Sequence, residues 1–148
     1  NNSPKMNIDE TYTEIWAKLL NCYFVSKLSC FEYDNLDCYK YFCSLLAIER
    51  EFCLLQGYKV SKDLKDNPIR NINKDTNVIA YYIGTAKIFN NLDNFLSFCF
   101  RDKNPMYLKD QRLFNSFLVG CKKVPIRKLN KNNKSYNTLR MTSIELKV

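Results

Sequence analysis

The sequence predicts an all-α bundle of four to five helices, followed by an irregular basic C-terminal segment. Apolar residues make up 46% of the 148 residues, so the chain can bury a core. Glycine and proline, on which the tight turns of β-sandwiches and barrels depend, number only three and four. Apolar residues also recur at helical spacing along much of the chain, and together these observations favour a helical bundle.

The first two helices are predicted from long amphipathic patterns. Apolar residues recur every three or four positions from Ile8 to Tyr23, and we expect a helix from about Asp9 to Leu28. A second pattern predicts a helix from about Leu36 to Gln56, where Gly57 is a natural helix stop. Because only a short connection separates them, the two helices should pack as an antiparallel hairpin.

The middle of the chain is predicted to be a linker followed by a third helix. The stretch from Tyr58 to Thr76 is polar and contains Asn67-Pro68, which favours a linker. The apolar block from Val78 to Phe89 fits a helix face, with a strand as the alternative because β-branched and aromatic residues are frequent there. Gly84 weakens a helix, but the helical pattern continues past it, and Asn90-Asn91 should break the helix.

Two shorter helices are predicted after this break. Asp93 can cap a helix that carries Leu96 and Phe100. Asn104-Pro105 is a typical helix start, and Gly120 is a typical stop. In the final residues, Ile144 to Val148, apolar and charged side chains alternate, so a short β-hairpin is the alternative to a wholly irregular tail.

Charge divides the chain into a near-neutral body and a cationic end. Residues 1–100 carry eleven Lys/Arg and twelve Asp/Glu, whereas residues 101–148 carry twelve Lys/Arg and three Asp/Glu. We therefore divide the chain into a helical domain, residues 1–121, and a basic segment, residues 122–148, that packs on it or extends from it. Such a run attracts polyanions, and phosphate backbones bind by this route. The predicted anion-binding residues are Lys122, Lys123, Arg127, Lys128, Lys131, Lys134 and Arg140.

The chain contains no histidine, which excludes the ordinary forms of serine triads, Cys–His proteases and most zinc hydrolases. No motif supports an enzyme built on carboxylates or lysine, so we expect no catalysis, no cofactor and no metal site. Glu49 and Glu51, which interrupt the second helix, are expected on a solvated stripe. The sequence therefore favours a non-enzymatic interaction or scaffold module that contacts an anionic partner, with nucleic acid as a candidate and a protein partner besides.

The seven cysteines leave two interpretations open. Buried thiols fit an intracellular protein of the cytoplasm or nucleus, which is slightly favoured. Disulfides between the first two helices, joining Cys22 or Cys30 to Cys43 or Cys53, fit the alternative. In that case the protein is a secreted or surface-exposed, disulfide-stapled domain of the parasite type that binds a protein partner.

Two further features of the sequence bear on its origin and location. Asparagine, lysine and isoleucine are abundant, which indicates an AT-rich genome and says little about chemistry. No apolar run reaches the roughly 18 residues that a membrane-spanning helix needs, so we expect no membrane span.

Overall fold

A computed structural model describes residues 6–66, 76–101, 107–128 and 139–144, and within them the chain is an all-helical bundle without strands. Four of its helices are regular: α1 (Ile8–Glu32), α2 (Cys38–Asp66), α4 (Leu92–Cys99) and α5 (Gln111–Gly120). Between α2 and α4, residues 76–89 form one continuous helical stretch, α3. It is α-helical at Thr76–Val78, π-helical at Ile79–Gly84 and α-helical again at Thr85–Phe89.

The first two helices form the predicted antiparallel hairpin. The side chain of Asn7 caps α1 by accepting a hydrogen bond from the Glu10 amide at 3.3 Å. At the start of α2, Asp37 accepts hydrogen bonds from the amides of Tyr39 and Lys40, both at 3.1 Å. The helix α1 runs to Glu32, four residues beyond the predicted end.

The prediction that Gly57 ends the second helix is wrong, because α2 continues to Asp66 and residues 58–66 are therefore not a linker. Gly57 is buried against α3, where an added Cβ atom would lie 2.7 Å from the carbonyl oxygen of Tyr82 and would overlap Ala86. Gly84 stands equally close to α1, since a Cβ atom there would lie 2.6 Å from the Thr11 hydroxyl. These glycines let α3 approach both long helices closely, and neither ends a helix by a left-handed turn.

The third apolar block is helical, as the sequence predicted, and the predicted break at Asn90-Asn91 is confirmed. In the π-helical part, the carbonyl of Ala80 accepts hydrogen bonds from both the backbone amide of Thr85 and its hydroxyl, the latter at 3.3 Å. The following helix is preceded by Asn91 as its cap residue, and Asp93 lies inside its first turn instead of capping it.

The last helix begins later than predicted. Residues 107–110 are not helical, and the predicted start at Asn104-Pro105 lies outside the described residues. Asp110 is the true cap, since its carboxylate accepts hydrogen bonds from the amides of Arg112 (2.8 Å) and Leu113 (3.1 Å). The predicted end at Gly120 is confirmed.

An aromatic cluster joins α1, α4 and α5. Tyr12 of α1 meets the ring of Phe114 edge to face at a centroid distance of 5.0 Å, and Phe95 of α4 packs against both rings. Edge-to-face pairs add a favourable quadrupole interaction to the burial of the rings. Ile15 and Ile88 are also fully buried in this cluster, so the main core lies where α1, α3, α4 and α5 meet α2.

The two described parts of the C-terminal region, residues 121–128 and 139–144, are irregular and contain no strand. The remainder of the predicted hairpin region, residues 129–138 and 145–148, lies outside the described residues. None of the described helices combines the length and the apolar character that crossing a bilayer requires.

Candidate functional site

The first half of the predicted basic segment is anchored to the body of the bundle. The amide of Lys122 donates to the side chain of Asn91 at 3.4 Å, and the side chain of Asn90 donates to the carbonyl of Lys123 at 3.3 Å. Both asparagines belong to the turn between α3 and α4. The segment thus begins on this turn by backbone contacts, which leave the side chains of Lys122 and Lys123 exposed.

Further along, the segment reaches the middle of α2. Arg127 forms an ion pair with Glu51 at 2.9 Å, and the other oxygen of Glu51 pairs with Arg50 at 2.8 Å. The guanidinium of Arg50 also donates to the carbonyl of Phe89 at the end of α3, at 3.1 Å. One exposed carboxylate is therefore shared by two arginines, and the side chain of Lys128, which follows Arg127 in the sequence, is exposed.

The structure does not place all the predicted basic residues together. Lys122, Lys123, Arg127 and Lys128 follow one path from the α3–α4 turn to Glu51. Arg140 lies in the second described part of the tail, in which Thr142 and Ser143 contact Glu49. Because positions two apart on an α-helix differ by about 200° around its axis, Glu49 and Glu51 face opposite sides of α2. Two further predicted residues, Lys131 and Lys134, lie outside the described residues.

An open groove of about 490 Å³ between α4 and α5 leads into this basic segment. Its lining includes Phe98 and Phe117, whose rings stack on one another with centroids 5.2 Å apart. Amide and cationic side chains line it, including Asn94 and Arg101, and Cys121 lies where the groove meets Lys122. A planar, hydrogen-bonding group with a negative charge nearby would suit such a groove. We name the exposed path 122–128 together with this groove the basic face.

Sequence reasoning missed a buried polar cluster centred on Glu49. This carboxylate is 1% exposed, so the expectation of a solvated stripe is wrong at this position. One oxygen accepts hydrogen bonds from the Thr142 hydroxyl (2.9 Å), the Ser143 amide (2.9 Å) and the Ser143 hydroxyl (2.7 Å). The other oxygen is 3.4 Å from the ammonium of Lys18. The spacing in the sequence does indicate that Glu49 is buried, because it lies four residues from both Leu45 and Cys53 on the apolar face of the helix.

Lys18 is buried together with its partners. It is 4% exposed and lies 3.1 Å from Glu14 as well as 3.4 Å from Glu49. Burial alone would lower the pKa of Lys18, but the negative groups around it outweigh burial and raise the pKa above its ordinary value. The ammonium therefore stays charged, and its positive charge compensates the buried carboxylate of Glu49.

One disulfide joins the first two helices, but its partners differ from the predicted pairs. Cys30, near the end of α1, is bonded to Cys38, the first residue of α2, instead of to Cys43 or Cys53. Because α2 begins at Cys38 directly after the five-residue connection, that cysteine is opposite Cys30 across the tip of the hairpin. The remaining five cysteines are free.

Four of the free thiols are buried, and their environment suppresses ionisation. Burial raises the pKa of Cys22 to about 12, and the nearby charge of Glu49 acts in the same direction. Burial likewise raises the pKa of Cys53, Cys99 and Cys121 above the ordinary thiol value. The thiolate is the reactive form, so these cysteines are poor nucleophiles at neutral pH.

We expect alkylation with iodoacetamide, counted by mass spectrometry, to reveal three classes of cysteine. In the native protein at pH 7, only the exposed Cys43 should react quickly, because the other free thiols are buried and protonated. In denaturant without reductant five cysteines should react, and after reduction all seven. Seven reactive thiols before reduction would show that Cys30 and Cys38 are not bonded.

The tip of the α1–α2 hairpin exposes an unusual number of large apolar side chains. Phe31 is 84% exposed, and most of the surface of Tyr39 and Tyr33 is exposed as well. Phe24 and Leu28 add to the same end of α1. Exposed aromatic clusters on soluble domains are typical of protein–protein contacts.

No protein-family model, no curated protein and no solved structure matches this chain. Within the described parts of the chain, no group of three cysteine, aspartate or glutamate side chains is arranged to hold a metal ion.

Proposed function

We propose that this chain is a non-enzymatic binding module whose basic face binds single-stranded nucleic acid. The observation that carries the proposal is the anchoring of residues 122–128, which keeps Lys122, Lys123 and Lys128 exposed along one path. A pre-positioned row of cations loses less conformational entropy on binding phosphates than a free tail would. Phosphate contacts of this kind supply most of the sequence-independent affinity for nucleic acid.

The groove between α4 and α5 favours a single strand over other polyanions. Bases of a single strand are free to stack on aromatic rings, and the aromatic side chains of Phe98 and Phe117 line the groove. The amide of Asn94 can form hydrogen bonds with base edges, and Arg101 can contact a phosphate. A sulfated or phosphorylated polymer without bases would use only the lysines.

The buried groups support a binding role over a catalytic one. The carboxylate of Glu49 is fully engaged by protein donors, and the thiols of Cys22 and Cys53 are buried in protonated form. Neither kind of group is presented to a substrate, and the basic face itself contains no nucleophile with an activating base.

We expect a labelled oligothymidine 12-mer to bind the protein with strong salt dependence in fluorescence anisotropy. For three or four neutralised phosphates on a single strand, the affinity should fall by about 20- to 50-fold between 50 and 200 mM salt. Replacing Lys122, Lys123 and Lys128 together by glutamate should weaken binding at least tenfold and flatten the salt dependence. Polyphosphate of equal charge should bind more weakly than the oligonucleotide, because it lacks bases to stack.

A matched variant separates a specific surface from net charge. Lys27, Lys40 and Lys62 are exposed on the hairpin and the far end of α2, and replacing these three by glutamate changes the net charge equally. This variant should retain binding within about threefold, apart from long-range screening effects. Equal losses in both triple variants, or no binding by the unmodified protein, would contradict the proposal.

A second candidate function is the binding of a protein partner through the tip of the hairpin. The disulfide between Cys30 and Cys38 fixes the tip, and it presents Phe31, Tyr33 and Tyr39 to solvent. A stapled apolar tip fits the alternative of a secreted or surface-exposed domain. The alkylation experiment described above helps to decide between the two functions. A Cys30–Cys38 disulfide that persists in the purified protein without added oxidant would favour this second function.

A further inference from the structure

The second described part of the tail, residues 139–144, is seated on the side chains of three different helices. Tyr82 of α3 donates its hydroxyl to the carbonyl of Leu139 at 2.8 Å. Asn21 of α1 donates its side-chain amide to the carbonyl of Ile144 at 3.0 Å. The backbone of the segment is therefore held at both ends by side chains of the bundle, as an extended peptide ligand would be.

Between these two contacts, Glu49 of α2 binds the centre of the segment. The hydroxyls of Thr142 and Ser143 and the amide of Ser143 all donate to one carboxylate oxygen of Glu49, at 2.7 to 2.9 Å. Thr142 and Ser143 are the residues whose side chains reach Glu49, and the Thr142 hydroxyl also accepts a hydrogen bond from the Ile144 amide at 3.1 Å. Charged hydrogen bonds of this length are strong and directional, so they select adjacent hydroxyl residues in one register.

The segment contributes one apolar anchor to the contact. Ile144 is 8% exposed and packs in a small cluster with Cys22 of α1 and Leu45 of α2. Leu139 and Met141 remain substantially exposed. The walls of the cleft belong to α1, α2 and α3, and these three helices also pack on one another.

We propose that the cleft floored by Glu49 is a peptide-binding site, and that residues 139–144 are its detachable ligand in cis. Its ligand class is an extended peptide with two adjacent hydroxyl residues followed by a branched aliphatic residue, as in Thr142-Ser143-Ile144. This inference goes beyond the binding of nucleic acid, because it concerns the opposite side of α2 and an uncharged recognition sequence. A tethered ligand has an effective concentration in the millimolar range, so it competes strongly with any peptide in trans.

Hydrogen exchange of the intact, unmodified protein tests whether the segment detaches as a unit. The Ser143 amide should be protected by Glu49, yet exchange at least tenfold faster than the fully buried Leu54 amide of α2. Its rate should also be insensitive to low denaturant concentrations, since local detachment exposes little surface. An unprotected Ser143 amide, or one whose rate and denaturant dependence match those of Leu54, would overturn the proposal.

Binding of a free peptide tests whether the cleft is a site. Ser143→Asp places a second carboxylate where the serine hydroxyl now lies 2.7 Å from Glu49, so it should expel the tethered segment. A labelled peptide of residues 139–148 should then bind the full-length Ser143→Asp chain at least tenfold more tightly than the unmodified chain. Adding Glu49→Gln should abolish this gain, and the Ser143→Asp peptide should not bind.

The matched control is Ser44→Asp, which places the same charge on an exposed position of α2. It should bind the free peptide no better than the unmodified chain. A folded Ser143→Asp chain that shows no gain in peptide binding would overturn the proposal. If that chain does not fold, the exchange experiment on the unmodified protein decides the question alone. The oligonucleotide assay is independent of both experiments, so the two proposals can fail separately.

Discussion

Replacing Glu49 by alanine should lower the free energy of unfolding by about 3–5 kcal/mol, the largest effect that we expect from any polar substitution in this protein. The substitution leaves the ammonium of Lys18, which is 4% exposed, with Glu14 as its remaining charged partner. It also removes the acceptor of both hydroxyls of the tail, Thr142 and Ser143. Equilibrium denaturation with urea, followed by circular dichroism, measures the change.

Two control variants show whether burial causes this effect. Glu51→Ala removes an equal charge from the same helix, but its side chain is 55% exposed, and we expect a change of at most about 1 kcal/mol. Replacing Lys18 by methionine and Glu49 by leucine together should cost much less than the two single losses added, because no unpaired charge remains buried. Similar costs for Glu49→Ala and Glu51→Ala would contradict the assignment of Glu49 to the core.

The contrast between Glu49 and Glu51 also shows where sequence reasoning ends. Both carboxylates interrupt an apolar helix, and the helix itself is predictable from the spacing of its apolar residues. The partners that bury Glu49 are Lys18, 31 positions earlier, and Thr142 and Ser143, more than 90 positions later. No local pattern reports such distant partners, so the sequence predicts the helix correctly but the environment of Glu49 incorrectly.

The basic segment shows the same limit. Its charge was visible in the sequence, and Lys122, Lys123 and Lys128 are exposed on one path. The ion pair between Arg127 and Glu51 could not be predicted from the sequence, because it depends on how an irregular segment crosses α2. Nor could the sequence predict that the part of the tail containing Arg140 would contact Glu49, on the other side of that helix, through Thr142. Net charge can therefore be predicted from composition, whereas the shape of a cationic surface depends on tertiary contacts.

The cysteines illustrate a prediction that was right in kind and wrong in detail. The sequence allowed a disulfide between the first two helices, which the structure contains. The partner of Cys30 depends on where α2 begins, since a shift of the boundary by a few residues changes which cysteine lies opposite. Helix boundaries are the least reliable part of a pattern-based prediction, and Cys38 lies at such a boundary.

Gly57→Ala should destabilise the protein by about 2–3 kcal/mol, although alanine favours a helix over glycine by roughly 1 kcal/mol. The new methyl group would lie 2.7 Å from the Tyr82 carbonyl oxygen and would overlap Ala86. Both obstacles belong to α3, and one of them is backbone, so neither can rotate away as the end of a flexible side chain would. The helices α2 and α3 must separate, and the packing of the bundle at Val60 and Ala86 weakens. Thermal unfolding by calorimetry or circular dichroism checks the expected loss.

Gly120→Ala is the matched control, because a methyl group there meets nothing within 4 Å at the end of α5. This variant should be neutral or slightly stabilising, by up to about 1 kcal/mol. The opposite signs of the two substitutions would separate the cost of steric overlap from the intrinsic preference of alanine for helix. If Gly57→Ala were as stable as Gly120→Ala, the close approach of α2 to α3 would be wrong. That result would favour the original prediction that Gly57 ends the second helix. The close contact with α3 is our explanation for a glycine in the interior of a 29-residue helix.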